Sequence, residues 1–226
     1  MSTSSPTVLF IGGAGLPGWI WDAARRELGD GYDTRVAARP AGGQRLRDYA
    51  DAALASVDAE RFTIVAHSGG GVVGAEVARL AAGRVAGFLA VSAVVPKPGG
   101  SFLSAMPVPN RWILGAVMRI AGTRPPESAI RTTLASALDP ATVDRLVAGF
   151  TPEPLGYYRD RTGTQPWCER RGYLVTTDDK ELPAALQRRF AERLGAARVD
   201  EVAAGHLPML EDPASVARVI AGFCRP

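Results

Sequence analysis

The chain has 226 residues and a formal net charge of only +3, and this length is enough for one domain with a sizeable core. Its arginines are spread along the chain beside acidic residues, as on solvated helix faces, so we expect no nucleic-acid partner. No apolar run reaches the length of a membrane span, and Cys168 and Cys224 are too few and too distant for a metal site, so we expect neither a membrane partner nor a metal.

The first residues of the chain, as far as Thr7, are polar and uncharged. They lack the basic region and the long apolar region of a secretory signal. We therefore expect a cytoplasmic protein with reduced thiols, although the sequence leaves a disulfide between the two cysteines open.

The first predicted strand is the apolar run Thr7–Ile11, which is typical of a parallel strand buried on both faces. The glycine-rich loop at residues 12–15 follows it, and then a helix that ends near Gly29. Residues 13–18 also fit the glycine spacing of a dinucleotide-binding fingerprint. This fit contains Pro17, precedes two tryptophans, and lacks an acidic residue at the end of a second strand about 20 residues later, which argues against a nucleotide.

Strands and helices alternate over most of the chain. After the first strand, further strands are predicted over residues 32–38, 62–68, 85–95, 172–177 and 197–202, and helices over 46–57, 72–82, 183–194 and 213–223. This alternation predicts an α/β fold with a mostly parallel, six-stranded sheet flanked by helices. We expect residues 1–226 to form a single domain.

The alternation is interrupted between residues 97 and 166, a stretch that we call the insertion. Prolines and glycines punctuate it, and short helical stretches are predicted over 112–121, 128–138 and 141–149. We expect a mainly helical lid over one end of the sheet. The side chains predicted to form its apolar underside are Phe102, Met106, Arg111, Trp112 and Met118.

The strand that begins at Phe62 ends in a serine flanked by small residues, Ala66-His67-Ser68-Gly69-Gly70, and a helical pattern follows. This is the strand, sharp turn and helix of a nucleophile elbow, with alanine in place of the first glycine of G-x-S-x-G. The alternative interpretation is a glycine-rich turn with an ordinary capping serine.

A serine nucleophile needs a base to take its proton. His67 adjoins Ser68 and is predicted to point away from it, so His206, just after the last strand, is the candidate base. Asp178 and Asp179 end the preceding strand, and either could orient the histidine. The order serine, aspartate, histidine at the carboxyl ends of parallel strands is that of one fold in particular.

The developing oxyanion needs hydrogen-bond donors. One candidate is the backbone N–H of Gly69, which follows the nucleophile. The other is the N–H of Ala14, in the glycine-rich loop after the first strand. The dipole of the elbow helix points its positive end at the same place.

Four segments resemble the α/β-hydrolase superfamily: residues 10–15 with Trp19 and Trp21, residues 66–70, residues 173–183 and residues 205–213. The last fits the Gly-His-x-Pro-x-x-Glu-x-Pro pattern around the superfamily's base. The motifs and the compact size look most like the plant methylesterase and hydroxynitrile lyase group and its bacterial relatives.

The resemblance implies that Asp179 is the acid, with Asp178 as the alternative, and that Ala14 and Gly69 are the oxyanion donors. Two residues depart from the family pattern. Gly12 stands where the family has a histidine that often braces the oxyanion loop, and Ala66 stands where the elbow has its first glycine.

These residues together predict a serine hydrolase that cleaves a carboxylic ester or thioester of a small, largely apolar molecule. Neither a metal nor an organic cofactor is implied, and the expected partner is a small-molecule substrate bound by a monomer or homodimer. Two other functions stay open. One is a lyase or cyclase of a biosynthetic pathway on the same scaffold, and the other is a ligand-binding protein with little turnover.

Overall fold

The computed structural model describes residues 5–164, 168 and 170–225. Residues 165 and 166 of the predicted insertion, and residues 1–4 of the N-terminal segment, lie outside the described residues. The strands are β1 (Thr7–Ile11), β2 (Asp33–Val36), β3 (Phe62–Ser68), β4 (Val85–Ala93), β5 (Arg171–Thr176) and β6 (Arg198–Val202). They form a sheet of six strands in the described chain, ordered β2-β1-β3-β4-β5-β6, and each neighbouring pair is parallel. The predicted α/β class is confirmed.

Outside the insertion the helices alternate with these strands, as the periodicity predicts. They are α1 (Asp22–Leu28), α2 (Leu46–Ala55), α3 (Gly70–Leu80), α4 (Phe102–Ala105), α5 (Asn110–Ile120), α6 (Glu127–Ala129), α7 (Pro140–Gly149), α8 (Leu155–Arg159), α9 (Ala184–Leu194), α10 (Pro208–Glu211) and α11 (Pro213–Cys224). Among the described residues, none of these helices combines the length and the apolarity needed to cross a membrane.

Two apolar clusters cover the two faces of the sheet. On β1, Leu9 and Ile11 belong to a cluster that also contains side chains of α2, α3 and α9. The alternate residues Val8 and Phe10 belong to a second cluster with side chains of α1 and α11. Because successive side chains of a strand point to opposite faces, a strand buried on both faces is a continuous apolar run, as β1 is.

The insertion connects β4 to β5 and contains α4 to α8. The helix predicted over 128–138 is wrong in part, since the short α6 is followed by one π-helical turn over Ile130–Leu134. Phe102, Met106 and Met118 pack against the core, as predicted for the underside.

The placement of Trp112 on that underside is wrong, because Trp112 is 63% exposed. Met118 packs against the core and so marks the inner side of α5. Trp112 lies six residues before Met118 and falls on the outer side. The other large apolar residues of that outer side are Ile113, Val117 and Ile120.

Candidate active site

The turn after β3 forces Ser68 into a left-handed backbone conformation, with φ of +51°. Such a φ is strained for a residue with a side chain. The following glycines are required by close packing, because a side chain on Gly70 would begin 2.5 Å from the carbonyl oxygen of Gly12. A side chain on Gly71 would collide with the carbonyl oxygen of Val94. The start of α3 is therefore wedged between the loop after β1 and the end of β4, and Ser68 lies at the apex.

Ala66 departs from the glycine of the elbow pattern without disturbing this turn. It is fully buried in β3. Gly74 of α3 lies opposite it, and a Cβ placed on Gly74 would be 3.3 Å from the Cβ of Ala66. Because Gly74 has no side chain, the methyl group of Ala66 fits between β3 and α3.

The structure brings the predicted serine, histidine and aspartate together in one line. The Oγ of Ser68 lies 2.9 Å from the Nε2 of His206. The Nδ1 of His206 lies 2.8 Å from the Oδ2 of Asp179. Asp178 is exposed and its carboxylate accepts a bond from the Thr177 hydroxyl, so the structure places Asp179, and not Asp178, beside the histidine.

Both carboxylate oxygens of Asp179 accept several hydrogen bonds. The donors beside His206 are the backbone N–H groups of Glu181 and Leu182, the hydroxyls of Thr176 and Ser92, and the amide of Gln187. Burial alone would raise the pKa of Asp179, but the hydrogen bond and charge of His206, with the Leu182 and Ser92 donors, outweigh it and hold the pKa at about 2. The carboxylate therefore stays ionised and can stabilise a protonated His206.

Ser92 is part of this arrangement, and the sequence reasoning missed it. It is fully buried at the end of β4, with φ of +40°, and its hydroxyl donates to Asp179 Oδ2. Its Oγ also lies 3.3 Å from the Nδ1 of His206. The available signal was a hydroxyl residue within an otherwise apolar strand.

His67, which sequence reasoning set aside as the base, forms a hydrogen bond to the loop that carries His206. It is fully buried, and its Nε2 donates to the backbone carbonyl of His206 across 2.8 Å. Burial and the neighbouring His206 ring lower the pKa of His67 to about 3, so the ring is neutral. His67 thereby supports the loop that carries the candidate base.

The two predicted oxyanion donors lie side by side next to Ser68. A methyl group on Gly69 would lie 3.3 Å from the backbone nitrogen of Ala14. A side chain on Gly13 would begin only 2.8 Å from the Cβ of Ser68. The loop after β1 therefore passes directly over the serine, and only a glycine at position 13 permits this approach.

The insertion holds this loop in place, which the sequence reasoning also missed. The backbone N–H of Gly15 donates to Glu153 across 3.0 Å, and the N–H of Thr151 donates to the carbonyl of Gly15 across 3.0 Å. Glu153 is buried, accepts the hydroxyl of Tyr49, and pairs with Arg39 at 2.6 Å.

Gly12 stands where the family has a histidine. The position has room for a side chain, since a Cβ on Gly12 would meet only ordinary contacts at 3.8–3.9 Å. The Glu153 carboxylate holds the loop from the insertion instead.

A cavity of about 130 Å³ borders the same loop. Its lining includes Gly12, Gly13, Leu16, Val36, Tyr49 and Tyr157. The described residues contain no cluster of three or more His, Cys, Asp or Glu side chains that could hold a metal ion. Cys168 and Cys224 are free thiols.

A model of the alpha/beta hydrolase family matches residues 8–219 of the chain. Among curated proteins, norfluorocurarine synthase 2 from a Strychnos species is 44% identical over 45 residues, which is 20% of this chain. That match spans only 17% of the length of the curated relative.

Several solved structures share the fold. An extracellular alpha/beta-hydrolase from a Paenibacillus species, described as homologous to tobacco Salicylic Acid Binding Protein 2, gives a TM-score of 0.84 at 19% identity over 98% of this chain and 100% of that chain. Polyneuridine aldehyde esterase gives 0.79 at 18% identity over 98% and 100%. The pyrethroid hydrolase PytH gives 0.77 at 21% identity over 97% and 97%. At these identities the likeness shows the fold.

Proposed function

This chain belongs to the alpha/beta hydrolase family, as its motifs predict, and on that basis we propose that it is a serine hydrolase of small, largely apolar carboxylic esters or thioesters. The observation that carries the proposal is the unbroken hydrogen-bonded line from Ser68 through His206 to Asp179. The relatives named as an esterase and a pyrethroid hydrolase are consistent with ester substrates.

The proposed reaction begins when the Oγ of Ser68 attacks the substrate carbonyl carbon while its proton passes to the Nε2 of His206. Asp179 stabilises the imidazolium that results. The carbonyl oxygen becomes an oxyanion and accepts hydrogen bonds from the N–H groups of Ala14 and Gly69. His206 then gives the proton to the leaving oxygen or sulfur, which departs and leaves an ester on Ser68.

Water completes the cycle. His206 takes a proton from a water molecule, whose oxygen attacks the acyl carbon and forms a second oxyanion in the same position. Collapse of that intermediate breaks the bond to Ser68, and His206 returns the proton to its Oγ. The acid leaves, and serine and histidine are in their starting states.

The test is p-nitrophenol release from a panel of short and medium acyl esters by the native protein, Ser68→Ala and His206→Ala. We expect each substitution to lower kcat by at least about 10⁴-fold, because nucleophile and base act as one unit. Ser128→Ala changes an exposed serine of the insertion and should retain native turnover. Turnover that persists in Ser68→Ala would rule out this nucleophile.

A second candidate function is a non-hydrolytic reaction on the same scaffold, a lyase or cyclase step. The observation in its favour is the 44% identity over 45 residues to a protein named a synthase. In that case the side chains would move protons without an acyl-enzyme. Intact-mass detection of an acyl group on the native protein, absent in Ser68→Ala, would exclude this alternative.

A further inference from the structure

Tyr157, on α8 of the insertion, has a buried hydroxyl group with no obvious function. The residue is 2% exposed, and within the described part of the chain its Oη has no hydrogen-bond partner. Leaving a buried hydroxyl without a hydrogen-bond partner destabilises the folded state, so this hydroxyl requires an explanation. The rings of Tyr49 and Tyr158 pack edge-on against Tyr157, at 4.9 and 5.1 Å between centroids, and fix its position.

This hydroxyl lies next to the candidate oxyanion donors. A methyl group on Gly69 would be 3.0 Å from the Oη of Tyr157 and 3.3 Å from the backbone nitrogen of Ala14. The hydroxyl oxygen and the Ala14 nitrogen therefore lie on the same side of Gly69, whose own N–H is the other candidate donor. The missing side chain of Gly69 leaves the space in which the hydroxyl lies.

The chemistry of the phenol at this position is that of a donor. Burial, and then the negative charge of Glu153, raise the pKa of Tyr157 well above its ordinary value. The group therefore keeps its proton at neutral pH. It can therefore donate to a nearby acceptor, and a substrate oxygen between Ala14 and Gly69 would be such an acceptor.

We propose that the Tyr157 hydroxyl is a third hydrogen-bond donor to the substrate carbonyl oxygen, beside the N–H groups of Ala14 and Gly69. The inference rests on the proposed hydrolase function, whose oxyanion it stabilises. No proton changes hands, because the tyrosine keeps its own throughout. The Tyr157 hydroxyl has a hydrogen-bond acceptor only when the substrate carbonyl oxygen is bound beside Ala14 and Gly69. The bond is strongest when that oxygen carries the negative charge of the oxyanion.

The test compares Tyr157→Phe with Tyr158→Phe, a matched substitution of the next residue, which is also a buried tyrosine. With an ester that the native protein hydrolyses through Ser68, we expect Tyr157→Phe to lower kcat by about 10²-fold with little change in KM. The Tyr158→Phe variant should keep kcat within about twofold of native. Fluorophosphonate labelling of Ser68, followed by intact mass, should be slower in Tyr157→Phe than in the native protein and close to native in Tyr158→Phe.

Thermal unfolding separates this role from a structural one. Because the hydroxyl has no partner in the described residues, Tyr157→Phe should have a Tm at or above that of the native protein. Native kcat in Tyr157→Phe, a rise in KM alone, or a clear fall in Tm would each overturn the inference while Ser68 keeps its role. If the native protein shows neither Ser68-dependent turnover nor labelling, the proposed function is wrong and the inference falls with it.

Discussion

The two halves of the candidate site are held in place by different kinds of contact. On the acid-base side, Asp179 accepts bonds from groups within a few residues of it, such as Thr176, Leu182 and Gln187, at the end of β5 and the start of α9. On the oxyanion side, the loop after β1 is held by Glu153, 138 residues away in sequence. The acid is therefore oriented mainly by groups close to it in sequence, with Ser92 of β4 as a distant partner, whereas the oxyanion loop depends on how the insertion docks.

The acid-base half gives the largest expected effect. In Asp179→Asn, the histidine loses the partner that fixes its tautomer and stabilises its charge, so kcat should fall by about 10⁴-fold. Steady-state ester hydrolysis measures this loss. The adjacent exposed carboxylate provides the control, and Asp178→Asn should stay within about twofold of native. A similar loss in both variants would contradict the assignment of the acid.

Asp179→Asn also tests how the stability of the folded protein depends on pH. The pKa of Asp179 is about 2 in the folded protein against 3.8 ordinarily, so its ionisation contributes roughly 2 kcal/mol to folding above about pH 4. This contribution is lost as the pH falls through 2. Chemical denaturation of native protein and Asp179→Asn should therefore show a stability difference at pH 7 that shrinks towards pH 2.

Side chains of the core and of the insertion also differ in how closely they are packed, and two tryptophans test this difference. Trp21 is fully buried against Phe10, with ring centroids 4.8 Å apart, whereas Trp112 is 63% exposed on α5. We expect Trp21→Ala to lower the free energy of unfolding by about 3–5 kcal/mol, because it leaves a cavity. We expect Trp112→Ala to change it by about 0.5 kcal/mol or less. Denaturant titration of both variants measures the difference, and equal losses would show that α5 is covered in solution.

The sequence alone predicts the strands of the sheet and the three residues at their carboxyl ends well. Strand Thr7–Ile11 agrees to the residue, and the Ser68, Asp179 and His206 side chains meet because each follows a strand in one parallel sheet. The choice of Asp179 over Asp178 needed the family resemblance, since neighbouring strand-end carboxylates look alike in sequence.

What the sequence does not predict are the contacts made across the chain. Ser92 looks like one polar interruption of a strand, and its role appears only when β4 and β5 are adjacent. Glu153 and Tyr157 lie in an irregular, proline-rich stretch where no periodicity indicates which side chains face inward. Trp112 was predicted on the underside but is exposed for the same reason, because apolar type alone does not say which side of α5 faces the core.

The smallest effect is expected where the insertion holds the oxyanion loop. In Glu153→Gln the shape is kept, but the charge that pairs with Arg39 and accepts the Gly15 N–H and the Tyr49 hydroxyl is removed. Arg39 is partly exposed and can be resolvated, so we expect a loss of about 2 kcal/mol in unfolding free energy and a fall of several-fold in kcat as the loop loosens. Glu127→Gln removes an exposed partner of Arg131 and should cost less than about 1 kcal/mol with kcat unchanged. If Glu153→Gln lowers stability but leaves kcat at the native value, the bond from the Thr151 N–H to the Gly15 carbonyl is enough to position the loop, and Glu153 supports the fold of the site without setting its reactivity.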